Sequence, residues 1–212
     1  MQAIIEEEKD SLQQASYDQD HDEYMVDSQL QVCIFDRVKD WYVGAKIPNV
    51  NPLPKSNDAL FFGNEESFFI EFKNGKIDNA ENFNLYKKIY DSLLILFDLD
   101  YSDPKGRKVN SISYTRANMN YILVYNEGRY HQAGPTRQTR EGFERQNIEK
   151  KDSIHRDKLY KKVRNLANEE LIKFGLDQFD KYLFKNVYTF TATEFQEKFV
   201  SKVEDVCPEN FK

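Results

Sequence analysis

Long apolar runs are missing from this sequence, in which no stretch approaches the roughly 18 residues that a membrane-spanning helix needs. The first ten residues, MQAIIEEEKD, lack the basic and apolar regions of a secretory signal. Cysteine is scarce: Cys33 and Cys207 lie far apart, and no cysteine–histidine cluster has the spacing of a zinc site. These absences favour an intracellular, cytoplasmic chain with free thiols and no membrane partner.

Two common catalytic motifs are also missing. Gly134-Pro135 indicates a turn rather than a glycine-rich phosphate loop, and no serine lies in a G-x-S-x-G context. Hydrophobic residues nevertheless make up 40% of the 212 residues, and aromatic residues make up 14%. The chain can therefore bury the core of one domain, with room for an elaboration.

Negative charge is concentrated at the N-terminus. The net charge is −6, of which the first 28 residues, with nine acids and one base, contribute −8 and leave +2 for the rest. The acidic balance argues against nucleic-acid binding mainly for this segment. Residues 1–27 are expected to form an acidic N-terminal segment, as a short helix or disorder, that covers a basic groove or contacts a protein partner.

Positive charge is concentrated between Arg129 and Arg164, where eleven bases oppose five acids and aromatic residues are interleaved. Such a segment can follow a phosphate backbone, although a solvated charged helix would have the same composition. Residues 129–212 are predicted to be a basic helical segment followed by a C-terminal strand and helix packed on the core. The candidate DNA contacts in the basic segment are Arg137, Arg140, Arg145, Lys150 and Lys151.

The hydrophobic spacing predicts an α/β order of elements. A helix is expected over 28–43, a weak strand near 45–50, strands at 58–62 and 67–73, a helix from 79 to 97, and strands at 120–126 and 182–189. Asp78 and Thr191 are predicted to cap helices, each followed three residues later by glutamate. The inward face of the 79–97 helix is expected to carry Phe83, Tyr86, Ile89, Tyr90, Leu93 and Leu94.

The two strands at 58–62 and 67–73 carry unexpected charges. If GNEE at 63–66 is the turn, Asp58 lies opposite Glu71, with Cβ atoms roughly 4.5–5.5 Å apart, and Lys73 follows on the same face. Opposed carboxylates destabilise a sheet unless a cation compensates them, and Mg²⁺ accepts one or two carboxylates. The alternative is an edge hairpin whose Glu71–Lys73 ion pair lies on a solvated face.

Asp58 followed by Glu71-Phe72-Lys73 resembles the signature of the PD-(D/E)XK nuclease superfamily, in which an acid on one strand precedes an acid-x-lysine triplet on the next. The resemblance covers about residues 28–126 and implies a nuclease-like core over 28–128. It implies a restriction-endonuclease-like fold, with a central mixed β-sheet flanked by helices and a helical C-terminal extension.

The resemblance also implies a site. Asp58, Glu71 and the carbonyl of Phe72 would bind Mg²⁺ or Mn²⁺, and Lys73 would be catalytic alongside the two acids. Lys87 and Lys88, on the following helix, are candidate phosphate contacts, and a solvated helical face is the alternative for both. A C2 homodimer would suit cleavage of both DNA strands.

The acid-x-lysine pattern itself is common, and it also occurs at Glu7-Glu8-Lys9, Asp103-Pro104-Lys105 and Glu149-Lys150-Lys151. Only the triplet at 71–73 lies in an apolar strand with an acid on a partner strand. The leading hypothesis is therefore a metal-dependent nuclease that hydrolyses phosphodiester bonds in DNA. The alternative is a non-catalytic nucleic-acid-binding or protein-interaction protein on the same fold.

Overall fold

The computed structural model describes residues 2–132 and 172–206, and a mixed β-sheet lies at its centre. The strands, in chain order, are β1 (Lys9–Ser11), β2 (Tyr17–Asp18), β3 (Glu23–Tyr24), β4 (Gln31–Ile34), β5 (Ala59–Phe62), β6 (Ser67–Lys73), β7 (Met119–Tyr125) and β8 (Asn186–Thr191). Strands β2 and β3 pair only with each other, whereas the other six form one sheet in the order β1-β4-β5-β6-β7-β8. Neighbours are antiparallel from β1 to β6 and parallel from β6 to β8.

Helices cover both faces of this sheet, which confirms the expected α/β class. They are α1 (Gln2–Glu7), α2 (Leu12–Ala15), α3 (Phe35–Lys46), α4 (Asn79–Asp98), α5 (Ile112–Asn118), α6 (Glu127–Gln132), α7 (Ala192–Phe195) and α8 (Ser201–Val206). A π-helical turn, Gln196–Val200, joins α7 to α8, and a short 3₁₀ helix spans Leu176–Phe179. No helix in the described ranges is long and apolar enough to cross a membrane.

Two apolar layers hold the helices to the sheet. Helices α1, α3 and α4 pack on one face, whereas α2 and the helical segment from α7 onward pack on the other. Strand β6 contributes to both layers because successive side chains point to opposite faces, so that Phe69 enters the first layer and Phe72 the second. Every residue of β7 is buried, as expected for a parallel strand covered on both faces.

The first part of the sheet differs from the sequence prediction. The helix expected over 28–43 begins only at Phe35, because Gln31–Ile34 forms β4 and pairs with both β1 and β5. The strand expected near 45–50 does not form: α3 ends at Lys46, and the described residues 47–58 contain no strand. Helical spacing was misleading here because partners distant in the chain decide whether so short a segment becomes a strand.

The acidic N-terminal segment is folded onto the core. It contains the expected short helices, but it also contributes β1 to the edge of the sheet and the β2–β3 hairpin. Ile5 and Leu12 are almost fully buried, one in each apolar layer. The segment is therefore neither a free tail nor a disordered one over these residues.

Helix α4 was predicted with nearly correct ends, but its inward face was predicted only in part: Ile89 and Leu93 are buried as expected, and Tyr86 packs against the core. Asp78 caps it, accepting hydrogen bonds from the backbone N–H groups of Ala80 and Glu81. Phe83, Tyr90 and Leu94 are exposed, contrary to expectation. The buried face carries Leu85, Ile89, Ser92, Leu93, Ile95 and Leu96, and this rotation directs Lys88 toward the sheet.

The C-terminal strand and the helix after it are present, with shifted bounds for the strand. Strand β8 spans Asn186–Thr191 rather than 182–189, and the capping box formed by Thr191 and Glu194 is present. Most of the basic segment, residues 133–164, lies outside the described residues.

Candidate metal and phosphate site

The β5–β6 hairpin has the register predicted from the sequence. Ala59 pairs with Ile70 and Phe62 with Ser67, which leaves 63–66 as the turn. Asp58 immediately precedes β5, and its Oδ2 accepts a hydrogen bond from the backbone N–H of Phe72 at 2.7 Å. Asp58 is thereby hydrogen-bonded to Phe72, the middle residue of the acid-x-lysine triplet.

Asp58 and Glu71 converge on one positive charge, the ammonium of Lys88. Lys88 Nζ lies 3.0 Å from Asp58 Oδ1 and 2.7 Å from Glu71 Oε1. The two carboxylates therefore share a face and a centre, as the sequence predicted. The cation between them comes from α4, and sequence reasoning had assigned that lysine to phosphate contact instead.

Lys73 lies beside this centre but is mainly paired elsewhere. Its Nζ is 3.5 Å from Glu71 Oε1 and 2.5 Å from Glu81 Oε1. Glu81, in the first turn of α4, was not assigned to the site from the sequence. The available signal was that positions 81 and 88, seven residues apart, lie on one face of a helix.

Burial governs the electrostatics of Glu71, whose side chain is 0% exposed. Desolvation, reinforced by the neighbouring charge of Asp58, raises the pKa of Glu71 to about 7, although Lys88 and Lys73 oppose the shift. The pKa of Lys88 is raised: burial disfavours its charge, but Asp58 and Glu71 outweigh that penalty. The alternative of a solvated edge hairpin is wrong, because β6 is an interior strand and Glu71 is enclosed.

The centre has unused hydrogen-bonding capacity. Glu71 Oε2 is buried without a hydrogen-bond partner, and so is the hydroxyl of Tyr121 on neighbouring β7. Burial and the charges of Glu71 and Asp58 raise the pKa of Tyr121 well above its usual value. A buried acceptor left unpaired costs stability, so its retention needs an explanation other than packing.

The donor set fits a hard divalent cation with few protein ligands. Mg²⁺ commonly takes one or two carboxylates and keeps several waters. Asp58 and Glu71 supply the carboxylates, and the Phe72 carbonyl points to the β5 side of β6 because it shares that side with its own N–H. Within residues 2–132 and 172–206, no cluster of three or more acidic, histidine or cysteine side chains could hold a metal. A metal here would thus depend on water and substrate for its remaining ligands.

The centre opens into a cleft of about 690 Å³. Asp58, Lys73 and Lys88 line it, and so do Asp18 and Asp20 of the β2–β3 hairpin. This hairpin is fastened by Glu23, which pairs with Arg129 at 2.8 Å and accepts a hydrogen bond from the Asn74 side chain. The acidic segment therefore borders the entrance to the candidate site.

The remaining candidate DNA contacts are Lys87 on α4 and five basic residues further along the chain. Lys87 pairs with Asp91 one turn further along α4 and does not reach the two carboxylates. The other five candidates lie outside the described residues: Arg137, Arg140, Arg145, Lys150 and Lys151.

Comparisons with protein family models, curated proteins and solved structures found no match for this chain. Its function is accordingly argued from the fold and from the geometry of this centre.

Proposed function

We propose that this chain is a metal-dependent nuclease that hydrolyses phosphodiester bonds in DNA. The observation that carries the proposal is the convergence of Asp58 and Glu71 on a single cation, with the ammonium of Lys73 next to it. A fully buried acid, a second acid that is only 17% exposed and two lysines are costly to bring together, and a phosphate-hydrolysing site has a use for each charge.

The order of strands supports a restriction-endonuclease-like core. Strands β4, β5 and β6 form an antiparallel meander, and α4 then leads to β7, which is parallel to β6. The chain departs from the expected core in its helices, because α3 lies between the first two strands of the meander rather than before them, and the short α5 lies between α4 and β7. The departure leaves the strands that carry Asp58 and Glu71 in the expected relation.

In the proposed site, Asp58, Glu71 and the Phe72 carbonyl would hold Mg²⁺ or Mn²⁺. The bound ion would neutralise charge on the phosphate and acidify a water molecule. Lys73 is kept protonated, because Glu71 and Glu81 raise its pKa more than burial lowers it. We therefore assign Lys73 to orienting the attacking water and stabilising negative charge on the phosphate, rather than to removing a proton.

DNA cleavage by the purified full-length chain with Mg²⁺ or Mn²⁺ tests the proposal. Lys73→Met and Glu71→Gln are each expected to lower the cleavage rate by about 100-fold or more, the scale seen when one charge-stabilising group is removed. The variants guard against a contaminating nuclease, whose activity they would not change. A chain that binds DNA but never cuts it would instead be the non-catalytic binding protein on the same fold.

A further inference from the structure

Lys88 occupies the place between the two candidate metal ligands. Its ammonium contacts Asp58 and Glu71 together, and its side chain is only 18% exposed. Buried neighbours on α4, Leu85 and Ser92, lie within one helical turn of it and fix the side of the helix from which it extends. The ammonium is therefore a built part of the site rather than a surface charge that happens to lie nearby.

The two lysines of the site, Lys73 and Lys88, have different ion-pair partners. Lys73 has its own short ion pair with Glu81, at 2.5 Å, and is 3.5 Å from Glu71. Lys88 alone bridges both opposed carboxylates. Removing the charge of Lys88 would leave the buried Glu71 carboxylate and the partly exposed Asp58 carboxylate facing each other without a shared cation, which favours protonation or a replacement ion.

We infer that Lys88 is a resident competitor for the divalent cation, which can bind Asp58 and Glu71 only when the ammonium has left the space between them. The inference concerns the cation site of the proposed function and rests on it. Lys88 is a positioning residue in this role, since it holds the two carboxylates together while no metal is bound.

The structure offers the displaced ammonium somewhere to go. Lys88 lines the cleft that would admit the phosphate, and a lysine side chain has a flexible four-carbon stem. An incoming phosphate would give the ammonium a new anionic partner as the metal takes its former place. Metal binding and phosphate binding would then favour each other. The metal would release the Lys88 ammonium to pair with phosphate, and the phosphate would give that ammonium a partner outside the metal site.

When a competitor fills a site, the apparent affinity for the metal equals the intrinsic affinity multiplied by the fraction of molecules in which the site is open. If Lys88 fills the site in more than about nine molecules in ten, removing it should tighten metal binding by at least about tenfold. Mn²⁺ is the probe of choice because its free concentration can be read directly from its electron paramagnetic resonance signal.

The experiment titrates Mn²⁺ into the full-length chain, its Lys88→Met variant and a Lys87→Met control from the adjacent position. Lys88→Met should bind Mn²⁺ at least about tenfold more tightly than the unchanged chain, whereas Lys87→Met should bind it equally. In chelator, Lys88→Met should melt at a lower temperature, and Mn²⁺ should raise its melting temperature more than that of the unchanged chain. If Lys88→Met does not fold without metal, Lys88→Gln retains side-chain length and hydrogen-bond donors and serves in its place.

Each other outcome overturns the inference. Equal or weaker Mn²⁺ binding by both Lys88 variants would show that the ammonium does not compete, while leaving the cation site and the proposed nuclease intact. Failure of every variant and of the unchanged chain to bind Mn²⁺ would remove the cation site itself, and the proposed function with it.

Discussion

Two acid-x-lysine triplets in this chain have opposite environments. Glu71-Phe72-Lys73 lies on β6, and Asp103-Pro104-Lys105 lies in the loop before α5. Both acids are buried, with side chains 0% and 1% exposed. Asp103 accepts hydrogen bonds from the backbone of Lys105 and Arg107, from the Arg107 guanidinium and from the hydroxyl of Tyr114. Glu71 keeps one oxygen without any partner.

The pKa values of Asp103 and Glu71 are shifted in opposite directions, in line with their different pairing. Burial raises the pKa of both acids, but the hydrogen bonds from Arg107 and Tyr114 outweigh it at Asp103 and lower the pKa there. At Glu71 burial prevails, and the pKa is raised. A buried acid that closes a loop is fully paired, whereas the acid at the candidate site is left short of partners. The pairing of the acid, rather than the triplet, thus distinguishes the structural carboxylate of Asp103 from the candidate site at Glu71.

The largest effect expected from this comparison is on folding at Asp103. Asp103→Ala should lower the free energy of unfolding by about 3 kcal/mol, because it leaves two loop N–H groups and the buried Tyr114 hydroxyl without their acceptor. Urea denaturation measures the change. Asp103→Asn, which keeps one acceptor oxygen, should lose less than half as much. A loss below about 1 kcal/mol for Asp103→Ala would contradict a structural role for this acid.

A smaller effect on the free energy of unfolding, of opposite sign, is expected when Glu71 is replaced in the metal-free protein. Folding raises the pKa of Glu71 to about 7, so between about pH 4.5 and 7 the folded chain binds more protons than the unfolded chain. Its contribution to stability is therefore lost as the pH rises through that window. From pH 5 to 8 in chelator, the unchanged chain should lose about 2 kcal/mol relative to Glu71→Gln.

The difference between the two profiles isolates Glu71 from the other titrating groups. Lys73, Lys88 and Asp58, which face it, are present in both proteins, and each lysine keeps a carboxylate partner in the variant. Glu71→Gln should consequently be the more stable protein at pH 8. Parallel stability profiles would show that burial does not penalise the charge of Glu71.

The hairpin that carries the site could be predicted from the sequence because its constraints are local. A four-residue turn between two aromatic runs fixes the register, and a slip by one residue would place every side chain on the wrong face. That register alone brings Asp58 opposite Glu71. The structure confirms this pairing and adds the Phe72 N–H that fastens Asp58.

The role of Lys88 could not be predicted, because α4 has apolar residues on more than one side. The stripe through Phe83, Tyr90 and Leu94 is exposed, whereas the stripe through Leu85 and Ile89 packs on the sheet. Periodicity cannot choose between two such stripes, since the choice depends on the surface that the helix covers. The predicted face correctly included Ile89 and Leu93, but it was centred nearer Phe83, Tyr90 and Leu94, and with that face inward Lys88 would point to solvent. The short strand β4 was missed for a related reason, as its partners lie twenty or more residues away in the chain.

The smallest effect on stability and on cleavage is expected when Lys105, the lysine of the Asp103 triplet, is replaced. Lys105 is 42% exposed and pairs with Glu65, which is 81% exposed, so solvent screens the interaction. Lys105→Met should leave both the urea midpoint and the rate of DNA cleavage unchanged, in the same assay in which Lys73→Met loses cleavage. On a strand, residues two apart share a face, so Lys73 reaches the centre around Glu71, whereas the turn directs Lys105 away from Asp103. Equal loss of cleavage in the two lysine variants would mean that the triplet on β6 has no special role.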